Sequence, residues 1–277
     1  IFGSNNFIQD IIWNKRVSPA RDAKFFSTDH EYILVYSKNK ESLTTHFLPR
    51  TEKNNSYYKN PDNDPRGPWN SAAYTCNKSR DERPNLYYPI TNPYTGEKIF
   101  PKESAVWAYS GETYQQHVRD NLLYWGVNGE AKQPRKKAFL SEVGDVVPRS
   151  VWSHSDVGST QKATMENNTI FNMRAFSYPK VSTLVERIIQ IASDKDSIVL
   201  DSFAGSGTTA HAVLNMNKSD GGNRKFILVE MGDYADTITA ERVKRVINGY
   251  GEGKNAVEGT GGNFSYYELG NPLFMQD

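Results

Sequence analysis

A single cysteine, Cys76, stands in 277 residues. One thiol excludes an internal disulfide and a cysteine-built zinc cluster, so Cys76 reads as an inert small side chain and the chain as cytoplasmic. Histidine is scarce as well, at five. The adjacent pair His30-Glu31 falls in a strand-like run, where neighbouring side chains face opposite ways, and no metal site is assigned. No apolar run approaches the roughly 20 residues that cross a bilayer, and the N-terminal residues lack a signal-peptide pattern, so no membrane role is expected. An excess of one charge is missing too: 33 Lys and Arg against 32 Asp and Glu leave +1. The global charge therefore announces no polyanionic partner. Only local clusters stand out, Lys15, Arg16, Arg21 and Lys24 early and Lys132, Arg135, Lys136 and Lys137 later, and such runs are usually solvated faces.

What is present is long enough for one large or two modest domains with a real core. Ile8–Trp13 and Tyr32–Tyr36 read as strands, the second as a continuous apolar run of the buried kind. From about Pro49 to Ala175 periodicity fades. Prolines recur at 61, 65, 68, 84, 89, 93 and 101, and Pro93-Tyr94-Thr95-Gly96 is a turn between short strands. One helix is predicted from Ser110, its cap, to Leu122. Regularity returns at Tyr178. A helix from Thr183 puts Leu184, Ile188 and Ile191 on one face. A strand at Ser197–Leu200, a helix to Met216, a strand at Phe226–Glu230 and a helix at Asp236–Ile247 follow. A glycine-rich linker spans 249–262, with a last strand at Phe264–Leu269. Apolar strands alternating with helices predict an α/β fold with a parallel sheet covered on both sides. The expected segments are 1–48, an inserted irregular domain at 49–175, and 176–277.

The strand at Ser197–Leu200 runs into Asp201-Ser202-Phe203-Ala204-Gly205-Ser206-Gly207-Thr208-Thr209. Two glycines let a backbone approach a ligand closely. The Gly-Lys-Ser/Thr that would hold nucleotide phosphates is missing, and Ala210 stands where Gly-x-Gly-x-x-Gly needs a glycine. An acidic strand end before a small-residue turn suits a ligand with hydroxyls and a positive centre. Glu230 ends the next strand, where an acid accepts ribose hydroxyls, and Met231 would lie beside the base. Ser177-Tyr178-Pro179-Lys180 precedes a helix start at Ser182 and Thr183, whose free N–H groups suit a carboxylate.

These residues resemble the cofactor loop of S-adenosylmethionine-dependent DNA methyltransferases of the amino group. The resemblance implies a cofactor set of Asp201, Phe203, Ala204, Gly205, Ser206, Gly207, Thr208, Thr209, Glu230 and Met231, with Lys180 and Ser182 toward the methionine end. Val181 stands where the proline of that family's Lys-Pro stretch often does. The stretch Ile11–Lys15, Ser18-Pro19 and Asp29–Leu34 is similar to the segment that borders the pocket of an extruded base in these enzymes. Extrusion is needed because the amino group is inaccessible in a stacked duplex. Trp13, Phe25 and Phe26 suit covering such a base, and each suits a core equally.

Asp64–Trp69, Arg83–Pro89, Pro148–Trp152 and Asp156-Val157-Gly158 resemble the target-recognition domain of the modification subunits of type III restriction–modification systems. The order pocket segment, recognition domain, cofactor region is that of the permuted β group. This implies double-stranded DNA with a flipped adenine as substrate, methylated at N6. It also implies a homodimer of the full subunit and a partner restriction subunit. DNA contacts are expected from Lys15, Arg16, Arg66, Trp69, Arg80, Arg83, Arg119, Arg135, Lys136 and Arg149, with Lys136 and Lys137 on phosphates. The family's Asp/Asn-Pro-Pro-Tyr/Phe is absent; in the permuted order it would precede Ile1. The chain is therefore expected to be the C-terminal portion of a longer subunit, inactive alone, and no catalytic residue is assigned. N4-cytosine methylation and a non-catalytic recognition fragment are the alternatives; a nicotinamide dehydrogenase is a distant third.

Overall fold

The computed structural model describes residues 2–270. The chain divides into two compact units, one formed by Ile1–Leu48 with Val147–Asp277 and the other by Pro49–Val146.

The first unit opens with strands β1 (Phe7–Asn14) and β2 (His30–Tyr36), paired antiparallel with Asn14 opposite His30 and Ile11 opposite Ile33. Side chains alternate across a strand, so Trp13, Ile11 and Ile33 reach the core while Tyr32 and Leu34 are exposed. The run expected to be buried on both faces is covered on one.

In the second unit, helix α1 (Glu52–Asn55) is closed by a Thr51–Asn54 capping box. Strands β3 (Trp69–Ala73), β4 (Thr75–Cys76), β5 (Ile90–Thr91), β6 (Lys98–Ile99) and β7 (Val106–Trp107) follow. Next come helix α2 (Gly111–Arg119), β8 (Leu123–Tyr124) and β9 (Arg135–Phe139), and the main sheet has the order β3-β9-β8. Ser110 caps α2, its hydroxyl accepting from the Thr113 N–H at 3.2 Å. The turn before β6 uses Gly96 at φ 73°, an angle that favours glycine. Aromatic rings fill this unit: Tyr74, Trp107 and Trp125 are buried with Ile90, and Tyr88, Tyr109 and Tyr114 pack on them.

The chain re-enters the first unit at Val147. Strand β10 (Val151–Trp152) pairs parallel with β1, and helices α3 (His154–Val157) and α4 (Thr160–Phe171) follow. Residues 147–175, read from sequence as part of the irregular segment, thus pack elsewhere. Trp152, Val157 and Ala163 share a core with Trp13, Val181 and Leu184, and the Trp13 indole N–H donates to the Gly158 carbonyl at 2.9 Å.

Helix α5 (Ser182–Ala192), strand β11 (Ile198–Asp201), helix α6 (Thr208–Asp220) and strand β12 (Lys225–Leu228) build a strand–helix–strand unit. Its strands are parallel, with Asp201 opposite Leu228. Val199, Phe226 and Leu228 pack on helical cores, whereas Ile198 is 64% and Leu200 63% exposed, with Ile227 and Val229 also exposed. A two-stranded parallel ladder covered on one face replaces the expected sheet covered on both. The predicted helix at Asp236–Ile247 is a π-helical turn, Ala235–Ala240, continuing as α7 (Glu241–Asn248). The expected glycine linker carries a hairpin of β13 (Gly249–Tyr250) and β14 (Val257–Glu258). Residues 264–269 form no strand; Phe264 instead packs against the cluster of Ala210, Leu214, Val243 and Val246. Among the described residues no helix is long and apolar enough to cross a membrane.

Candidate functional site

Strand β11 ends at Asp201, whose carboxylate ties both ends of the following turn. Its Oδ1 accepts from the Phe203 N–H at 3.1 Å, and its Oδ2 from the Thr209 hydroxyl at 2.5 Å. The Ala204 N–H donates to the Val229 carbonyl at 3.0 Å, stitching the turn to the chain just after β12. Gly205 and Gly207 sit at φ 53° and 79°. At Gly207 a Cβ would come 2.9 Å from the Thr239 carbonyl oxygen, so angle and space both demand glycine there. The π-helical turn supplies the Thr239 hydroxyl, which donates to the Gly205 carbonyl at 2.6 Å. Gly207 is the N-cap of α6 and makes no side-chain cap bond. The first-turn N–H groups and the positive end of the helix dipole therefore lie at the turn.

Glu230 leans over this turn. Its Oε2 accepts from the Gly205 N–H at 2.7 Å and its Oε1 from the Gly232 N–H at 2.8 Å. Burial pushes its pKa up, but the Gly232 and Gly205 N–H groups and the Tyr234 hydroxyl outweigh it and leave the net shift downward. Glu230 is thus held as a carboxylate, and each oxygen retains acceptor capacity for a further hydroxyl. Phe203 and Met231 flank the turn almost naked, 83% and 90% exposed. Phe176 lies against Gly205 and edge-on to Tyr234 at 5.3 Å. Neither ring was marked by the strand-and-helix pattern, since both belong to irregular chain.

The inner side of the turn corrects one expectation. Ala204, Ser206, Thr208 and Thr209 are buried. The Ser206 and Thr208 hydroxyls each accept from Arg242 Nη1 at 3.0 Å, so their side chains face the protein interior. Arg242 in turn meets Glu166 and His211; the sequence pattern read His211 and Arg242 only as helix positions and left Glu166 in the irregular segment.

The segment before α5 does reach the glycine turn: the Thr208 hydroxyl donates to the Lys180 carbonyl at 3.2 Å. The Lys180 ammonium, however, pairs with Glu31 Oε2 at 2.7 Å and lies over the Trp13 ring. Lys15 pairs with the other Glu31 oxygen at 2.9 Å. Burial pushes the Glu31 pKa up, yet the two lysines more than offset it and the net shift is downward. At the start of α5 the backbone N–H and hydroxyl of Ser182 both donate to Glu166 Oε2 at 3.1 Å. The carboxylate expected at this helix terminus is therefore one of the protein's own.

The residues expected to contact DNA separate into two groups. Arg66 is clamped by Asp64 through Nε at 2.8 Å and Nη2 at 2.7 Å, and donates to the carbonyls of Asp120 and Asn121. Trp69 is 3% exposed and its indole N–H donates to Asp62; it is a core residue of its unit. Lys137 is buried between Asp62 and Asp64, at 2.5 and 2.8 Å, which removes it from any phosphate-contacting surface. Arg135 donates to Ser71 and Lys136 lies over the Tyr109 ring. Arg16, Arg80, Arg83, Arg119 and Arg149 are exposed. Among the described residues no cluster of His, Cys, Asp or Glu side chains could hold a metal ion.

The DNA methylase family model of the N6/N4 type matches residues 1–241. The chain is 31% identical over 261 residues to the type III restriction-modification enzyme StyLTI Mod subunit of Salmonella typhimurium, covering 89% of this chain and 39% of that protein. It is 32% identical over 249 residues to the type II methyltransferase M.KpnI of Klebsiella pneumoniae, covering 83% and 57%. To the EcoPI Mod subunit of Escherichia phage P1 it is 28% identical over 255 residues, covering 83% and 39%. The chain thus spans between about two-fifths and three-fifths of these relatives' lengths. With a family match over 241 of its 277 residues, and relatives that are modification subunits, the chain belongs to the N6/N4 DNA methylase family.

Proposed function

We propose that this chain is the cofactor-binding and target-recognising part of a site-specific DNA methyltransferase of a type III restriction–modification system, acting on adenine N6. The observation that carries the reading is Glu230 hydrogen-bonded to the Gly205 N–H across the turn, an acid at a strand end beside a glycine-rich helix start. S-adenosylmethionine fits this donor set. Glu230 would hold its ribose hydroxyls on spare lone pairs, the exposed Met231 and Phe203 would hold its base, and its positive sulfonium is compatible with the two carboxylates, Asp201 and Glu230. The start of α6 would hold its own carboxylate. The cofactor supplies an electrophilic methyl group; this chain binds and orients it, which is the larger part of catalysis by positioning. Glu230→Ala tested by calorimetry decides the assignment: unchanged affinity in a folded variant would end it.

The sheet would be of the Rossmann-like methyltransferase kind, represented here by β11, α6 and β12. The target would be double-stranded DNA with the adenine extruded, bordered by the β1–β2 segment. Residues 49–146, with the neighbouring stretch to 175, would read the sequence. What supports this is the set of exposed arginines there, Arg80, Arg83 and Arg119, since forked donors read base edges in the major groove. Exchanging this segment for a relative's should change the methylated sequence; an unchanged one would place recognition elsewhere. In the complete protein, a homodimer and a restriction subunit would be the partners. The 32% identity to a type II methyltransferase favours a second reading, an enzyme working without a restriction subunit, and co-purification from cells separates the two. Nucleoside mass spectrometry of the product separates N6-methyladenine from N4-methylcytosine.

A further inference from the structure

Beneath the glycine turn lies a charged group that cofactor contact leaves unused. Arg242 of α7 is 0% exposed. Its Nη2 donates to Glu166 Oε1 at 2.6 Å and lies 3.0 Å from His211 Nδ1, while its Nη1 donates to the Ser206 and Thr208 hydroxyls. Glu166, from α4, is held in turn by the Ser182 N–H and hydroxyl and sits 3.0 Å from His211 Nδ1. Tyr250 closes the group with its ring edge-on to His211 at 5.9 Å. One cation and one anion thus join α4, the start of α5, the glycine turn, α6 and α7.

Stability alone is a poor account of this arrangement. Buried ion pairs are commonly replaced by apolar side chains of like volume with no loss of stability. An apolar group would, however, leave the turn's inner hydroxyls without that donor, and among the described residues nothing else bonds the Ser206 hydroxyl apart from its neighbour Thr208. We infer that Arg242 is a positioning residue for the cofactor turn. It pins the inner hydroxyls of Ser206 and Thr208 so that Gly205 and the first N–H groups of α6 present a fixed outer face, and Glu166 is its counter-charge. Binding sites gain most when the groups around them are locked in this way. The inference rests on the cofactor reading of the turn.

The test uses the full-length protein that carries these residues and follows S-adenosylhomocysteine binding by calorimetry, duplex binding, and amide hydrogen exchange of residues 203–209. Arg242→Met/Glu166→Gln removes the buried cation and anion together and should fold. Its cofactor Kd should rise about tenfold or more, the loss of a charge-assisted bond, with faster exchange in the turn and unchanged duplex affinity. Arg242→Lys, which keeps the charge, should recover part of the affinity. Val246→Ala, a buried change on the same helix in a different cluster, should lower the melting temperature and leave the Kd alone. A folded double variant with wild-type affinity, or an equal loss in Val246→Ala, overturns the inference. Should the double variant not fold, Ser206→Ala keeps both charges and removes one of the two hydroxyls; wild-type affinity and exchange there overturn it equally. A wild-type protein that bound no cofactor would sink the parent reading and this one together, and the wild-type titration alone identifies that case.

Discussion

Replacing Glu230 by alanine removes two kinds of bond, and the structure allows them to be told apart. The carboxylate receives the Gly205 and Gly232 N–H groups at 2.7 and 2.8 Å and, in the proposed reading, would offer its remaining lone pairs to a ribose. A hydrogen bond to a charged group contributes about 1.5–3 kcal/mol. Loss of the ribose contact therefore weakens cofactor binding roughly ten- to a hundredfold. The two backbone bonds brace the turn, and because the site is half open each adds toward the lower end of that range, about 1.5 kcal/mol. Their loss should appear as a lower melting temperature. A cycle separates the two contributions: calorimetry of wild type and Glu230→Ala, each with S-adenosylhomocysteine and with its analogue lacking the ribose hydroxyls. Deleting the hydroxyls should cost wild type about ten- to a hundredfold and the variant almost nothing. If the analogue loses as much on Glu230→Ala as on wild type, the hydroxyls bind elsewhere and the assignment fails. Glu230→Gln, which keeps one acceptor oxygen, should fall between the two.

Lys137→Ala should destabilise Pro49–Val146 by about 3 kcal/mol, because it leaves Asp62 and buried Asp64 short of a counter-charge; Arg66 still holding Asp64 puts the value at the low end, and a denaturant midpoint equal to wild type's would refute it. Glu166 is under opposing influences: burial raises its pKa, but His211, Arg242 and the Ser182 N–H hold it down to about 2. A depressed carboxyl stabilises the fold above its ordinary value and loses that contribution as pH falls through the folded one. Stability should therefore decline between about pH 4.5 and 2, and Glu166→Gln should flatten that slope. In the complete protein, Arg80→Ala or Arg83→Ala should cost about 1–3 kcal/mol on the cognate site and relax one base pair, if that arginine reads a base; equal weakening on all sequences would make it a phosphate contact. These 277 residues contain no Asp/Asn-Pro-Pro-Tyr/Phe tetrapeptide, so the chain alone should transfer no label from the methyl-labelled cofactor to DNA, and substantial transfer would require another grip on the target amine.

Local chemistry was enough for the turn itself. Two glycines between an acid and two threonines leave few conformations, and both adopt the positive φ that side chains resist. The Ser110 cap and the apolar face of Leu184, Ile188 and Ile191 were legible for the same reason, since each depends on residues a few positions apart. Arg66, Trp69 and Lys137 were not. A sequence shows that these side chains are basic or aromatic, but only the pairing of β3 with β9 brings Lys137 beneath Trp69 and beside Asp62 and Asp64, turning both inward, while Arg66 stays exposed but is clamped by Asp64. Whether an apolar strand is covered on one face or two was likewise undecided until helices packed, leaving Ile198 and Leu200 exposed. Glu166, His211 and Arg242 lie 45 and 31 residues apart along the chain, as their numbering shows. No local pattern couples an acid on α4 to a cation on α7; the folding of four helices around one glycine turn does.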